Sequence, residues 1–192
     1  MKSALVFVVL LGSASIYGQE KKPAYSAFIL DNKEVIWVQV YETAQPSAEQ
    51  KEQLIDLLKQ KAWIDNLSED GSDLIADVKN FRVDYKRYGG KYMNTSNLIR
   101  SARWSGKVQI SFKDERYRVV VYGLEYEARV PVMASGKMSN ESRMVHGSWT
   151  DWVLNNYRTH FRKSRFINMD IMHFNLKDSF TVTDTRVIDD EW

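Results

Sequence analysis

The sequence predicts an α+β fold: a curved antiparallel sheet of about four to five strands, with a helix from the N-terminal half and a C-terminal helix packed on one face. Three observations predict it. A period-two run at residues 34–41 is followed by a helix-period stretch, the centre of the chain repeats period-two alternation in separate runs, and a helical period returns near the C-terminus. Strands that run together and are then followed by helices form layers, not the alternating units of a parallel sheet.

Residues 20–26 form a short polar lead. In EVIWVQVY (34–41), Val35, Trp37, Gln39 and Tyr41 alternate with Ile36, Val38 and Val40, the pattern of a strand buried largely on both faces. Pro46 and Ser47 then open a helix. Ser47 and Gln50 stand in capping-box spacing, Leu54, Ile55, Leu58 and Ala62 form the apolar stripe, and Trp63 and Ile64 close it. Residues 68–73 are a turn by composition, since Ser, Asp and Gly bond locally and reach positive φ. Leu74, Ala76 and Val78, then Phe81, Val83 and Tyr85, keep period two but change phase at Lys79 and Asn80, which sets a bulge or tight turn there. Residues 107–112 (KVQISF) and 116–122 (RYRVVVY) pair as a hairpin across Lys113, Asp114 and Glu115. The second strand continues to Val130, with Leu124, Tyr126 and Ala128 alternating against Glu125 and Glu127, and Pro131 ends it or sets it at an edge. Residues 133–146 are polar and without period, and read as a loop. Ser148 and Thr150 are placed to cap a helix starting near Asp151, with Trp152, Val153 and Leu154 as its apolar content. A last helix covers residues 163–180. Phe166, Met169, Met172, His173, Leu176 and Phe180 share the arc that faces the sheet, while Asn168, Asn175 and Ser179 cluster on another side. Ile167, Ile171 and Phe174 sit roughly opposite that arc, as a second covered face or a partner contact. The acidic tail, residues 182–192, frays.

Residues 1–18 have the form of an export signal: Lys2 supplies the positive start, residues 4–11 the apolar run, and residues 12–18 a small-residue stretch open to cleavage before Gln19. Residues 19–192 are then a single domain working in the periplasm or at the cell surface. The apolar run is far shorter than the roughly 20 residues that cross a bilayer, so no transmembrane anchor is expected in the mature chain. A composition of 44% hydrophobic and 27% charged residues with 3 prolines is that of a folded protein. The absence of cysteine removes disulfides, thiolate nucleophiles, finger-type zinc sites and a lipid anchor on an N-terminal cysteine. It fits a bacterial envelope better than an animal extracellular space. The sequons at Asn94 and Asn140 matter only in a eukaryotic secretory route. With 27 basic and 25 acidic residues, only the local distribution of charge selects a partner.

Four segments carry a family resemblance: an export signal ending near Gly18-Gln19, the strand IWVQVY leading to a helix, the hairpin in KVQISFKDERYRVVV, and GSWTDWVLN before a terminal helix. Over roughly residues 30–181 the chain resembles a family of exported Bacteroidota proteins whose mature part is a domain of unknown function with a TATA-binding-protein-like fold. The polar insertion at residues 89–101 and the spacing before Trp149 depart from that pattern. The resemblance implies the fold and no catalytic residue. It implies no nucleic-acid partner either, because fold does not carry function and an exported protein meets no genome.

The residues themselves point to no cofactor or metal. His146, His160 and His173 are too dispersed for a local metal motif, and Asp170 with His173 makes only two ligands at i,i+3. His173 lies in the apolar arc and reads as a packed core histidine. No Gly-x-Ser-x-Gly elbow occurs, and Gly147-Ser148 beside His146 lacks that context. Glu125 and Glu127 share one strand face and read as solvated carboxylates before a glycosidase pair. Gly89-Gly90 is a turn without the lysine of a phosphate loop.

One asymmetry stands out. Residues 85–113 contain Lys86, Arg87, Lys91, Arg100, Arg103, Lys107 and Lys113 and no Asp or Glu, interleaved with Tyr85, Tyr88, Tyr92 and Trp104. Basic and aromatic side chains together hold anionic or sugar-rich ligands by charge, hydrogen bonding and stacking. Tyr85, Arg87, Tyr88, Lys91, Tyr92, Arg100, Arg103 and Trp104 are therefore the candidate contact residues, for an envelope protein, a glycan or an anionic lipid. A second basic cluster holds Arg158, His160, Arg162, Lys163 and Arg165. The plain alternative is that both are solvated loops whose charge is balanced elsewhere. The sequence thus suggests a non-enzymatic binding or accessory domain of the bacterial envelope. The alternatives are a carrier of an apolar ligand between the sheet and the last helix, motivated by its Met and Phe residues, and, less favoured, a hydrolase.

Overall fold

The computed structural model describes residues 23–134, 137–182 and 186–188. The export signal read at residues 1–18 lies outside them. Among the described residues the architecture is α+β, with nine strands in one sheet and four α-helices. The strand count is about twice that expected, and the sheet is not strongly curled. Its bulges bend single strands locally.

Ala24 and Tyr25 of the expected polar lead open a meander. Strands β1 (Ala24–Tyr25), β2 (Phe28–Asp31) and β3 (Glu34–Glu42) pair in order. The β2–β3 connection is Asn32-Lys33, both at positive φ, the twist that suits a two-residue hairpin. Helix α1 (Ser47–Lys59) follows, with Leu54 and Leu58 buried. The expected capping box does not form: Pro46 holds the cap position, and Gln50 turns inward, fully buried, to donate to the Gln45 carbonyl. Ala62 lies beyond the helix, and Ile64 opens β4 (Ile64–Asp70). Of the turn expected at residues 68–73, residues 68–70 belong to this strand and the turn itself is Gly71-Ser72, because IDNLSED is an edge strand whose few apolar residues break alternation at a bulge between Asp65 and Ser68.

Strand β5 (Asp73–Phe81) shows the expected phase change. Its register shifts between Val78 and Phe81, with Asn80 at φ 57°. The strand ends at Phe81, so Val83 and Tyr85 lie beyond it. After the short helix α2 (Asn97–Ser101), β6 (Arg103–Lys113) and β7 (Arg116–Ala134) form the predicted hairpin, with Lys113 facing Arg116. The expected loop at residues 133–146 is mostly strand β8 (Lys137–Ser148), which pairs with the far half of β7. Its polar sequence hides a strand that sits at an edge, where no apolar face is required. Ser148 caps α3 (Trp149–Val153) by accepting from the Asp151 N–H at 3.1 Å. Thr150 does not cap; its Oγ1 accepts from the Val35 N–H at 2.9 Å and ties α3 to β3. Helix α4 (Phe166–Phe180) is entered through a 3-10 turn at Lys163–Arg165. Part of the tail is ordered as β9 (Arg186–Ile188), which extends the β3 edge beyond β2.

The sheet order is β1-β2-β3-β7-β6-β5-β4, with β8 beside β7 and β9 beside β3. One face carries Trp37, Tyr41, Tyr117, Trp104 and Tyr126. Tyr41 and Tyr117 stack at 4.7 Å and donate to the carbonyls of Lys177 and Phe180 on α4. Trp149 of α3 meets Phe28, Trp104 and Trp152 at 5.2–5.4 Å. Gly147 is required here, since a Cβ would lie 2.5 Å from the Tyr126 hydroxyl.

Candidate functional site

Six of the eight candidate residues sit in the long connection between β5 and β6, which crosses the outer side of α4 as a strap. Two asparagines of α4 hold it. Asn175 Oδ1 accepts from the Asp84 N–H and Asn168 Oδ1 from the Ser96 N–H, each at 2.8 Å. They stand two turns apart on one side of the helix, and both are buried. Asn175 also donates to the Ile171 carbonyl at 2.8 Å, so its carboxamide is fixed at both ends. Between these anchors Gly90 passes so close that a Cβ would sit 2.4 Å from the Tyr85 carbonyl oxygen and 3.0 Å from Ile171 Cδ1. The asparagine cluster of the helical wheel is thus the strap's mooring, and Ile171 is covered by it. Ile167 and Phe174 remain 55% and 42% exposed.

The eight candidates divide into four groups. Arg87, Tyr88, Lys91, Tyr92 and Arg100 lie on the strap. Tyr88 stacks on Phe174 at 5.8 Å and donates to Asp178, which also takes Arg87 at 3.2 Å. Partial burial, reinforced by the Asp178 carboxylate, pushes the Tyr88 phenol up to about 12. Arg100 lies 3.7 Å over the ring of Tyr92, which is 69% exposed beside the 89% exposed Met93. Tyr85 is half-buried against the core. Trp104 is fully buried between Tyr126 and Trp149, so it is core and no surface contact. Arg103 is turned away from the strap, onto the outer face of β6.

On that outer face a cavity of about 450 Å3 is lined by Arg82, Ser101, Arg103, Glu127, Arg129 and Met144. Arg82 and Arg129, which line this cavity, are not among the candidates that the sequence singles out. Arg82 precedes the acid-free segment in the sequence by three positions, and Arg129 lies on a strand read as plainly solvated. Smaller cavities of about 340 Å3 and 300 Å3 lie between α1 and Thr181, and beside the β2–β3 turn.

Two of the three histidines are engaged structurally. His173 Nδ1 accepts from Trp37 Nε1 at 3.1 Å, which fixes a neutral ring at that nitrogen. Asp170 accepts from Tyr25 at 3.0 Å, and burial together with that carboxylate pushes the Tyr25 phenol up to about 12. His160 Nδ1 meets Thr159 at 3.1 Å, while His146 lies exposed on β8. Ser148 Oγ is committed to Asp151, and among the described residues no group of three or more acidic or histidine side chains is arranged to hold a metal. In the second basic cluster Arg158 pairs with Asp151, Arg162 donates to Asn156 and Arg165 covers Trp152 at 4.7 Å. Among the described residues no helix is long and apolar enough to cross a membrane.

No family of known proteins matches the sequence, and no curated protein does. Among solved structures the chain is similar to a TBP-like protein from Parabacteroides distasonis ATCC 8503, at 13% identity over 78% of this chain and 90% of that one, with a TM-score of 0.49. It is also similar to a DUF4468 family protein from Bacteroides ovatus ATCC 8483, at 12% identity over 84% of this chain and 94% of that one, with a TM-score of 0.47. Both descriptions agree with the resemblance drawn from the sequence, and neither names a ligand or a reaction.

Proposed function

We propose that this chain is an exported, non-enzymatic binding or accessory module of the bacterial envelope, working in the periplasm or at the cell surface, and that its contact surface is the strap over α4. The observation that supports the reading is the anchoring of a basic and aromatic segment by two buried asparagines. A mobile loop would have to be ordered on binding, at a cost of roughly 1–2 kcal/mol per residue. Here that ordering is made during folding, and Lys91, Tyr92, Met93 and Arg100 are presented ready. The exposed faces suit an acidic envelope protein, a glycan or an anionic lipid head group.

The test is charge reversal of Arg87, Lys91 and Arg100 to Glu in the native host, followed by cross-linking in intact envelopes and mass spectrometry of the captured species. A partner lost from the variant but retained by a Lys107→Glu control supports the reading. An unchanged capture profile, with the variant folded by circular dichroism, refutes it. The carrier alternative draws no support from the sheet–α4 interface, where Met169, Met172, Leu176 and Phe180 are all fully buried.

A further inference from the structure

We propose that the outer face of β5, β6 and β7 is a second site, which binds a phosphorylated sugar through Arg82, Arg103 and Arg129. The placement follows from register. Phe81 pairs with Trp104, which sets Arg82 beside Arg103; Arg103 pairs with Glu127; and Arg129 follows two residues on, on the same face. Three arginines and one glutamate therefore line a single cavity of about 450 Å3. Like charges side by side on a sheet destabilise it, and nothing in the packing requires them here. Among the described residues none of the three arginines has an ion-pair partner, and Glu127 reaches none of them within ion-pair distance.

The chemistry narrows the ligand. Guanidinium forks recognise phosphate oxygens with paired, charge-assisted hydrogen bonds, and three forks offer more donors than one carboxylate can accept. A phosphate monoester, with three terminal oxygens and nearly two charges, matches them. Glu127 beside the arginines repels a bare anion but accepts hydrogen bonds from hydroxyls. Ser101 adds a hydroxyl, and Met144 an apolar edge for ring C–H groups. The cavity is also much larger than a phosphate alone. The ligand that satisfies all four demands is a sugar carrying a phosphate, free or as the head group of a phosphoglycolipid. Arg82 and Ser101 stand at the two ends of the strap, but none of Arg87, Lys91 and Arg100 lines this cavity, so the strap variants leave its three arginines in place and the two readings fail independently.

The experiment is titration of the purified full-length chain with glucose 6-phosphate, glucose and inorganic phosphate by calorimetry, and with phosphatidylcholine vesicles with and without lipid A. Saturable binding of glucose 6-phosphate, stronger than that of inorganic phosphate and absent for glucose, is expected. Each of Arg82→Ala, Arg103→Ala and Arg129→Ala weakens it about tenfold, since hydrogen bonds between charged groups are the strong class. Glu127→Gln narrows the preference for the sugar phosphate over inorganic phosphate. If only lipid A vesicles bind, with the same arginine dependence, the head group is the source. If only the soluble sugar binds, it is a free metabolite. Both outcomes support the site. No saturable binding of either probe, or binding that survives loss of all three arginines, overturns it. Inorganic phosphate binding as tightly as glucose 6-phosphate overturns the sugar assignment.

Discussion

On its sheet side α4 sets Met169, Met172, Leu176 and Phe180 against the aromatic rings of β3 and β7; on its outer side it sets Asn168 and Asn175 against the backbone of the strap. The first contact is apolar and non-directional, so its strength follows the area and volume buried. The second is short of apolar area and depends on hydrogen bonds, which fix a geometry more than they add stability. The difference teaches how one helix serves two purposes: one side holds the fold together, and the other gives a polar loop a defined shape.

Phe180→Ala tests the first side most severely. It removes a ring lying 6.2 Å from Trp37 and 5.9 Å from Trp63, and about 3–5 kcal/mol of global stability should be lost by urea unfolding. A loss below about 1 kcal/mol would break the comparison, because the sheet side would then not be what holds the fold.

On the other side, Asn175→Leu removes the acceptor of the part-buried Asp84 N–H, at about 1 kcal/mol. Its mark is local: amide exchange should accelerate at Asp84 and along residues 84–101, while the amide of Leu176 keeps its protection. Uniform acceleration across both regions would show that the strap is part of the core and not a separate unit.

Met172→Leu conserves volume and polarity on the sheet side, and should cost less than about 1.5 kcal/mol in the same unfolding assay. Set beside Asn175→Leu, it separates the two kinds of contact, since both substitutions insert the same side chain one turn apart.

The smallest expected effect is alkaline. The Tyr88 phenol is raised to about 12 in the folded chain against about 10 unfolded. The folded state therefore holds its proton more tightly. The contribution is fully present below pH 10 and is lost as pH rises from about 10 to about 12. Tyr25 acts in the same direction. Unfolding midpoints measured across that range should fall less steeply in Tyr88→Phe than in the native chain; equal slopes would remove Tyr88 from the account.

Elements with an apolar period were legible in the sequence: β3, α1, the β6–β7 hairpin, the bulge near Asn80, the Ser148 cap and α4. Those missed are edge or near-edge strands and the short helix α2. β4 and β8 carry IDNLSED and KMSNESRMVHGS, and a strand that buries little needs no apolar alternation. The candidate surface was legible in part. Composition singled out the strap, but alternation along β6 places Trp104 on the core face and Arg103 on the solvent face. A composition window covers both faces of a strand and cannot separate them.

By itself the sequence determined what local chemistry determines: helical and strand periods, capping residues, the turn glycines, and a cysteine-free composition that leaves stability to packing. Only the tertiary structure decided that Asn168 meets Ser96 across 72 residues and Asn175 meets Asp84 across 91, and that Arg82, Arg103 and Arg129 share one cavity. Such meetings are set by strand order and register, which depend on the burial of the whole chain and leave no local signature in the residues that they bring together.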